Sequence, residues 1–204
     1  MAQITHGVRA VLSHPLIYSS FQSLMGAHRN RQNFAANYVK PFSGMKVLDL
    51  GCGPAHILAY LPEVDYWGFD ISEAYIAQAK AKFGPRGRFN CKQLEQEDLA
   101  ALPKFDVVLA MGLMHHLDDS VAVGVLHLAH EALQAGGRLL TTDPCLDPSQ
   151  SFLAGILVRN DRGQNVRDKE GYRALVERVF SSPRVEVHHQ VWIPYTYCFM
   201  ECRK

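Results

Sequence analysis

The chain has 204 residues, 48% hydrophobic and 20% charged, with 21 Lys and Arg against 20 Asp and Glu for a formal net charge of +1. That length supports one well-cored domain with a small cover and is tight for two. The near-neutral balance argues against a general pull toward nucleic acid, and no apolar run approaches the ~20 residues of a membrane span.

The opening MAQITHGVRA lacks a basic region followed by a long apolar stretch. No secretory signal is therefore expected, and a cytoplasmic location is the default. Residues 1–40 read as helical in pieces, 15–25 and 29–38, with Pro41 marking the approach to the first strand. Strand candidates follow at 46–50, 66–69, 88–92, 105–110 and 138–142, all rich in aliphatic and β-branched residues. Helical patterns lie between them at 55–61, 72–83 and 120–133, the last ending in Ala135-Gly136-Gly137, a strong stop signal. Short apolar strands alternating with amphipathic helices mean βαβ units: a parallel sheet covered on both faces, with right-handed crossovers. After Asp143-Pro144 the pattern loosens, then a helix is expected near 169–180. Two last strands, 184–192 and 195–203, are separated only by Ile193-Pro194, which permits antiparallel pairing alone.

Five cysteines (Cys52, Cys91, Cys145, Cys198, Cys202) are scattered, without CxxC spacing or a His at zinc-finger distance, and read as buried free thiols. His127 and His130 lie three apart on a predicted helix, but no third ligand accompanies them, so no metal site is expected.

The stretch LDLGCGPAH at 48–56 carries the chemistry. A strand closing in Asp49-x-Gly51-x-Gly53 and turning into a helical segment is a nucleotide-binding turn of an α/β sheet. The dinucleotide fingerprint GxGxxG needs a small residue at position 56, where His56 stands. A pyrophosphate also needs free N–H groups; here Pro54 removes one donor and Asp49 adds negative charge. These features disfavour a polyanion and suit a cationic adenosine ligand without phosphate. S-adenosylmethionine (SAM), with its sulfonium, is such a ligand.

VLDLGCGPA at 47–55 closely resembles the first motif of the class I SAM-dependent methyltransferases, hydrophobic-hydrophobic-Asp/Glu-hydrophobic-Gly-x-Gly-x-Gly, departing only at Ala55. YWGFDIS resembles the second motif, FDVVLAMGLMHHLDD the fourth with its following loop, and LQAGGRLLTTDP the usual approach to strand five. CKQLEQEDL resembles the third, with Gln93 where the family often has Asp. The resemblance spans residues 40–145 and implies a Rossmann-like α/β fold. Its sheet is mostly parallel and seven-stranded, with helices on both faces and an antiparallel C-terminal hairpin strand. It further implies that SAM is held by Asp49, Gly51, Cys52 and Gly53, with Asp70 on the ribose hydroxyls and Ile71 packed on adenine. Gln93, Leu94 and Met111 complete the cofactor set. A single domain is expected: an N-terminal cover over 1–40, a SAM-binding core over 41–145, a substrate lid over 146–168, and a C-terminal helix and hairpin over 169–204.

Each residue also has a plainer reading. Asp49 could cap the helical segment starting near Pro54, and Asp70 could be a turn residue, since its distance from Gly53 suits SAM and NAD alike. Adjacent His115 and His116 point in different directions, so at most one faces a ligand. The resemblance favours His116 as a general base; ordering the loop is the competing role. SFLAGILV at 151–158, followed by Arg159, Arg162 and Arg167, could form a lid for an anionic substrate, a solvated basic loop, or a shallow membrane-docking element. Tyr18 or Gln22 could line the cover, and an N-terminal Arg could hold the methionine carboxylate.

Three functions compete: methyl transfer to a small molecule, binding of SAM without catalysis, and nicotinamide-dependent oxidoreduction, the last disfavoured by Asp49, Pro54 and His56. Nucleic acid is a poor fit as substrate, since the chain lacks a basic stripe and LAMGLMHH is not the Asn/Asp-Pro-Pro-aromatic motif of amino-methylating enzymes. The acceptor and the oligomeric state are not legible in the residues.

Overall fold

A computed structural model describes residues 27–161, 163–190 and 194–204. Five parallel strands come first: β1 (Lys46–Leu50), β2 (Asp65–Asp70), β3 (Gly87–Cys91), β4 (Phe105–Met111) and β5 (Leu133–Leu146), with β1 and β4 almost wholly buried apolar runs and β3, where only Phe89 is buried, at the sheet edge. A two-residue strand, β6 (Arg167–Asp168), and the hairpin β7 (Arg184–Gln190) and β8 (Tyr195–Arg203) complete the set. The sheet order is β3-β2-β1-β4-β5-β8-β7, seven strands in line, with β6 an eighth beside β5. Pairing is parallel from β3 through β5 and antiparallel at β5–β8 and β7–β8, so the mixed sheet and its closing hairpin match expectation.

The helices begin where a short polar side chain can take a free N–H. Ser72 caps α2 (Glu73–Phe83), Asp118 caps α3 (Asp119–Ala132), Ser151 caps α4 (Phe152–Arg159) and Asp168 caps α5 (Lys169–Val176). Helix α1 (Ala27–Phe34) continues into a widened turn over Ala35–Val39. Arg138 fixes its end by donating to the Tyr38 and Val39 carbonyls at 2.9 and 2.8 Å. One face of the sheet packs Leu48, Val108 and Leu139 against α3 and α5; the other packs Val47, Leu109, Leu140 and Phe199 against α1 and α2.

Several boundaries move. The segment expected to be helical over 55–61 is a 3₁₀ turn, His56–Tyr60, because Ala55 enters it in the left-handed conformation with no capping side chain. Strand β5 extends well beyond 138–142 at both ends, since β8 pairs with it to Pro144 and β6 pairs with its last two residues. Gly136 and Gly137 therefore lie inside a strand; helix α3 stops at Ala132 instead. Helix α5 ends four residues before Phe180. Cysteines 145, 198 and 202 are buried as expected, whereas Cys91, at the end of edge strand β3, is exposed and Cys52 is half-buried. The helix expected over 15–25 and the hairpin link at 191–193 lie outside the described residues. Among the described residues no helix is long and apolar enough to cross a membrane.

Strands β2 and β3 lie on one side of β1, and β4 and β5 on the other. The chain thus changes direction between β1 and β4, where open α/β sheets hold their ligands beyond the carboxyl ends of the strands.

Candidate active site

The turn after β1 sits at this switch point. The Gly51 and Cys52 N–H groups both donate to the Phe69 carbonyl of β2, at 2.9 and 3.1 Å. Gly51 and Gly53 have φ of 68° and 53°, and a Cβ built on Gly53 would meet nothing within 4 Å, leaving backbone open to a ligand. Asp70, closing β2, accepts from the Gly53 N–H at 2.9 Å and from the Ser72 N–H at 2.8 Å. The plain turn reading of Asp70 and the ligand reading therefore coexist: one carboxylate orders the loop and keeps lone pairs for donors from outside. Next to it Ile71 is 55% exposed, an apolar surface unsupported by protein.

Asp49 is not a helix cap. It is 3% exposed, and its Oδ2 accepts a 2.6 Å hydrogen bond from the Tyr66 hydroxyl. The Tyr66 ring reaches it across two glycines: a Cβ on Gly68 would lie 3.1 Å from the ring, and one on Gly87 2.9 Å. Burial pushes the Asp49 carboxyl up to about 7 even though the Tyr66 hydrogen bond works the other way; the charge of Asp70 adds to the rise. Cys52, its thiol against Gly68, is pushed up by burial and by the same two carboxylates and stays protonated. Burial, with Arg31 and Lys82 nearby, pulls His56 down to about 4, so it is neutral at physiological pH.

On the other side of the switch point β4 ends at half-buried Met111, and Gly112 turns at φ 67°. The short turn Met114–His116 follows. His115 faces inward and is 5% exposed: Nδ1 lies 2.8 Å from Asp143 Oδ1 on β5, and Nε2 lies 3.2 Å from Asp161 Oδ1 after α4. The Tyr195 hydroxyl donates to the other Asp161 oxygen at 2.6 Å, and the Asn165 N–H donates to the His115 carbonyl at 2.9 Å. Burial pulls the His115 pKa down, but the two carboxylates outweigh it and raise it to about 9. Asp161 is held well below the usual carboxylate range, its burial offset by the imidazolium. Both His115 nitrogens are thus committed. His116 is half-buried, with its ring 4.0 Å from that of His115.

Arg167 does not await an anion. Nε and Nη2 donate to Asp119, Nη2 also to the Leu117 carbonyl, and Nη1 to the Met114 and Asn165 carbonyls. It clamps the His116 turn to α3 and to the segment after α4. Arg159 is exposed at the end of α4, and Arg162 lies outside the described residues, as do Tyr18 and Gln22. Helix α4 presents Phe152, Leu153 and Ile156 outward, with Phe152 82% exposed.

Gln93 and Leu94 follow the end of β3. They line an open cleft of about 590 Å³ with Glu95, Glu97 and α3 residues Val121 and Val125, and Leu94 belongs to the core beside Phe69. His127 is exposed and His130 packs edge-on against Phe180; among the described residues no group of His, Cys, Asp or Glu could hold a metal ion. The residues missed in the sequence are Asp143, Asp161 and Tyr195. Asp143 lies in a recognised motif, but nothing marks the other two as its partners.

Residues 48–139 match the family described as a methyltransferase domain. The match covers under half of the chain; together with the similarities below it supports a class I SAM-dependent methyltransferase, the family the motifs resemble. It is 30% identical over 118 residues to the ubiquinone biosynthesis O-methyltransferase of Cereibacter sphaeroides, covering 56% of this chain and 47% of that one. It is 26% identical over 143 residues to the tRNA U34 carboxymethyltransferase of Alteromonas mediterranea, covering 65% of this chain and 42% of that protein. The chain spans 60% at most of the length of these curated relatives. A SAM-dependent methyltransferase of Archaeoglobus fulgidus superposes with a TM-score of 0.68 at 17% identity, over 92% of this chain and 99% of that one.

For a class I methyltransferase the first turn fits its cofactor. Gly53 leaves open the space a side chain would fill, and Asp70 sits beside an unsupported apolar surface at Ile71. Ala55 stands at φ 53° with its methyl fully buried, a left-handed backbone that costs an alanine about 1 kcal/mol.

Proposed function

We propose that this chain transfers the methyl group of SAM to a hydroxyl oxygen of a small-molecule acceptor by in-line displacement. The observation that carries the reading is the Asp70 clamp on Gly53 at the switch point, which preforms a ribose acceptor within the turn. Bound SAM would supply a methyl carbon already activated by its sulfonium. The chain's task is then to align, exclude water and accept one proton.

Gly51, Cys52 and Gly53 offer backbone to the methionine and ribose, Asp70 takes the ribose hydroxyls, and Ile71 packs on adenine. Met111 closes the β4 side, with Gln93 and Leu94 at the outer edge. Asp49 supplies negative charge from behind the turn. His116 accepts the proton from the acceptor hydroxyl; His115, already charged and held on both sides, is unsuited to it. Residues 146–168 form the lid over the acceptor, residues 1–40 the cover, 41–145 the SAM core, and 169–204 the closing helix and hairpin. The near-neutral charge and the name of the ubiquinone relative support a small-molecule acceptor over nucleic acid.

Calorimetry with SAM, its demethylated product S-adenosylhomocysteine (SAH) and NAD tests the cofactor. Binding of the first two supports the reading; preference for NAD overturns it. Asp70→Ala should weaken SAM by about 2–4 kcal/mol through loss of the charged acceptor and loosening of the Gly53 turn. Labelled SAM incubated with metabolite extracts, and separately with a tRNA pool, identifies the acceptor class. With the acceptor so found, His116→Ala should lower kcat by about 10²–10⁴-fold and leave SAM affinity unchanged.

A further inference from the structure

Behind the glycine turn lies an acid whose only hydrogen-bond donor among the described residues is a tyrosine. Asp49 is enclosed, and the Tyr66 hydroxyl 2.6 Å away meets its Oδ2. The groups that bear on its charge are few. Tyr66 and Asp70 come from β2 and Cys52 from the turn itself; across β4 its register partner is apolar Leu109. Tyr66, itself pushed far above the ordinary phenol value by burial and by Asp49, keeps its proton, and so does the Cys52 thiol. Asp49 is therefore the group here that changes charge near neutrality.

The seat of the tyrosine is specific. Gly68, the register partner of Asp49, and Gly87, the register partner of Tyr66, both lack the side chains that would block the ring. A side chain at Gly87 would force the ring to shift, and one at Gly68 would press on both the ring and the Cys52 thiol.

Resting on the SAM reading of the turn, we propose that Tyr66 is a positioning residue for the cofactor. By holding Asp49 in the carboxylate form, its hydroxyl gives the site preference for the sulfonium cofactor over the demethylated product. SAM and SAH share adenosine, ammonium and carboxylate and differ by one methyl and one positive charge at sulfur. A buried carboxylate behind the turn distinguishes them by Coulomb attraction alone. At an effective dielectric constant of about 20, such an attraction corresponds to a preference of at least about tenfold out to roughly 12 Å. Since burial raises the Asp49 pKa to about 7, the preference grows as pH rises through neutrality and fades below it. Product release is thereby favoured by charge: once the methyl has left, the ligand no longer neutralises Asp49.

The test needs no acceptor. Dissociation constants for SAM and SAH are measured by calorimetry from pH 5.5 to 8.5 on the full chain, on Tyr66→Phe and on Asp49→Asn. Circular dichroism and melting curves check that each is folded. In the parent the ratio Kd(SAH)/Kd(SAM) should rise about tenfold through pH 7. In Tyr66→Phe the ring still fills its seat, and the rise should move about one pH unit higher because one charge-assisted hydrogen bond is gone. In Asp49→Asn the ratio should be flat. The ligands' own amino groups titrate alike in all three proteins, so differences between proteins belong to Asp49. A Tyr66→Phe profile superposing on the parent's, or the parent's rise persisting in Asp49→Asn, overturns the proposal. If Tyr66→Phe does not fold, the Asp49→Asn profile decides. If neither ligand binds at any pH, the SAM reading itself falls and this proposal with it.

Discussion

Between Asp143 and Asp161 the His115 ring keeps its proton to about pH 9, so its charge is part of the folded state across the physiological range. A histidine raised in this way stabilises most below its unfolded value of ~6.5, and that stabilisation is lost as pH rises through about 9. The raised value corresponds to about 3 kcal/mol. Thermal melts of His115→Gln should therefore fall well below the parent at pH 6.5 and approach it by pH 9.5; a gap independent of pH would show that the imidazolium is not the stabilising species. Two adjacent histidines are indistinguishable in the sequence, because which one points inward depends on the phase of a three-residue 3₁₀ turn. The pairing with Asp161 depends on a segment 46 residues away folding back. Asp49, by contrast, was legible as a functional acid, while its burial was not. That follows from Tyr66 crossing two glycines, a matter of register between strands that no local pattern carries.

At the scale of elements, strand β5 outruns its parallel partner. It pairs with β4 only to Thr142, continues beside β8 to Pro144, and ends beside β6. The overhang carries Asp143 and leads to α4, so the proposed lid is rooted in the sheet. Arg167 of β6 then binds this root to the His116 turn through five donated hydrogen bonds. Arg167→Ala should destabilise the fold by about 2–4 kcal/mol, roughly 5–15 °C in Tm, while SAM affinity at the β1 turn is kept. Arg167→Lys should rescue little, because a point donor cannot serve Asp119 and three carbonyls at once. Strand positions were readable because doubly buried parallel strands are nearly continuous apolar runs. Helix starts were readable because their Ser and Asp caps are. The length of β5 was not, since it is lengthened by β6 and β8, partners that come later in the chain. Arg167 read as a loose basic residue for the same reason: all its acceptors but one lie about 50 residues away in the chain.

Across the whole molecule the switch point divides the labour. The β1 and β2 ends hold the candidate cofactor turn; the β4 and β5 ends hold the proposed proton acceptor and the proposed lid. The two halves meet at Gly51, where a Cβ would lie 3.1 Å from the Leu113 side chain of the β4 loop. The resemblance was legible because its motifs sit at strand ends, where spacing along the chain and position in space coincide. The acceptor side was not legible, because long-range contacts build it.

One close approach turns this arrangement into something that can be set by hand. A Cβ on Gly163 would fall 2.1 Å from the His115 ring and 2.6 Å from its carbonyl oxygen. The segment rests on His115 only because residue 163 has no side chain. Gly163→Ala should press that segment away from His115 while changing no polar group of the network. Amide hydrogen exchange across residues 160–165 would then run faster, and exchange at the Gly51–Gly53 turn would stay at the parent rate. A single methyl group would so yield a variant with the proposed lid loosened, ready for soaking with candidate acceptors.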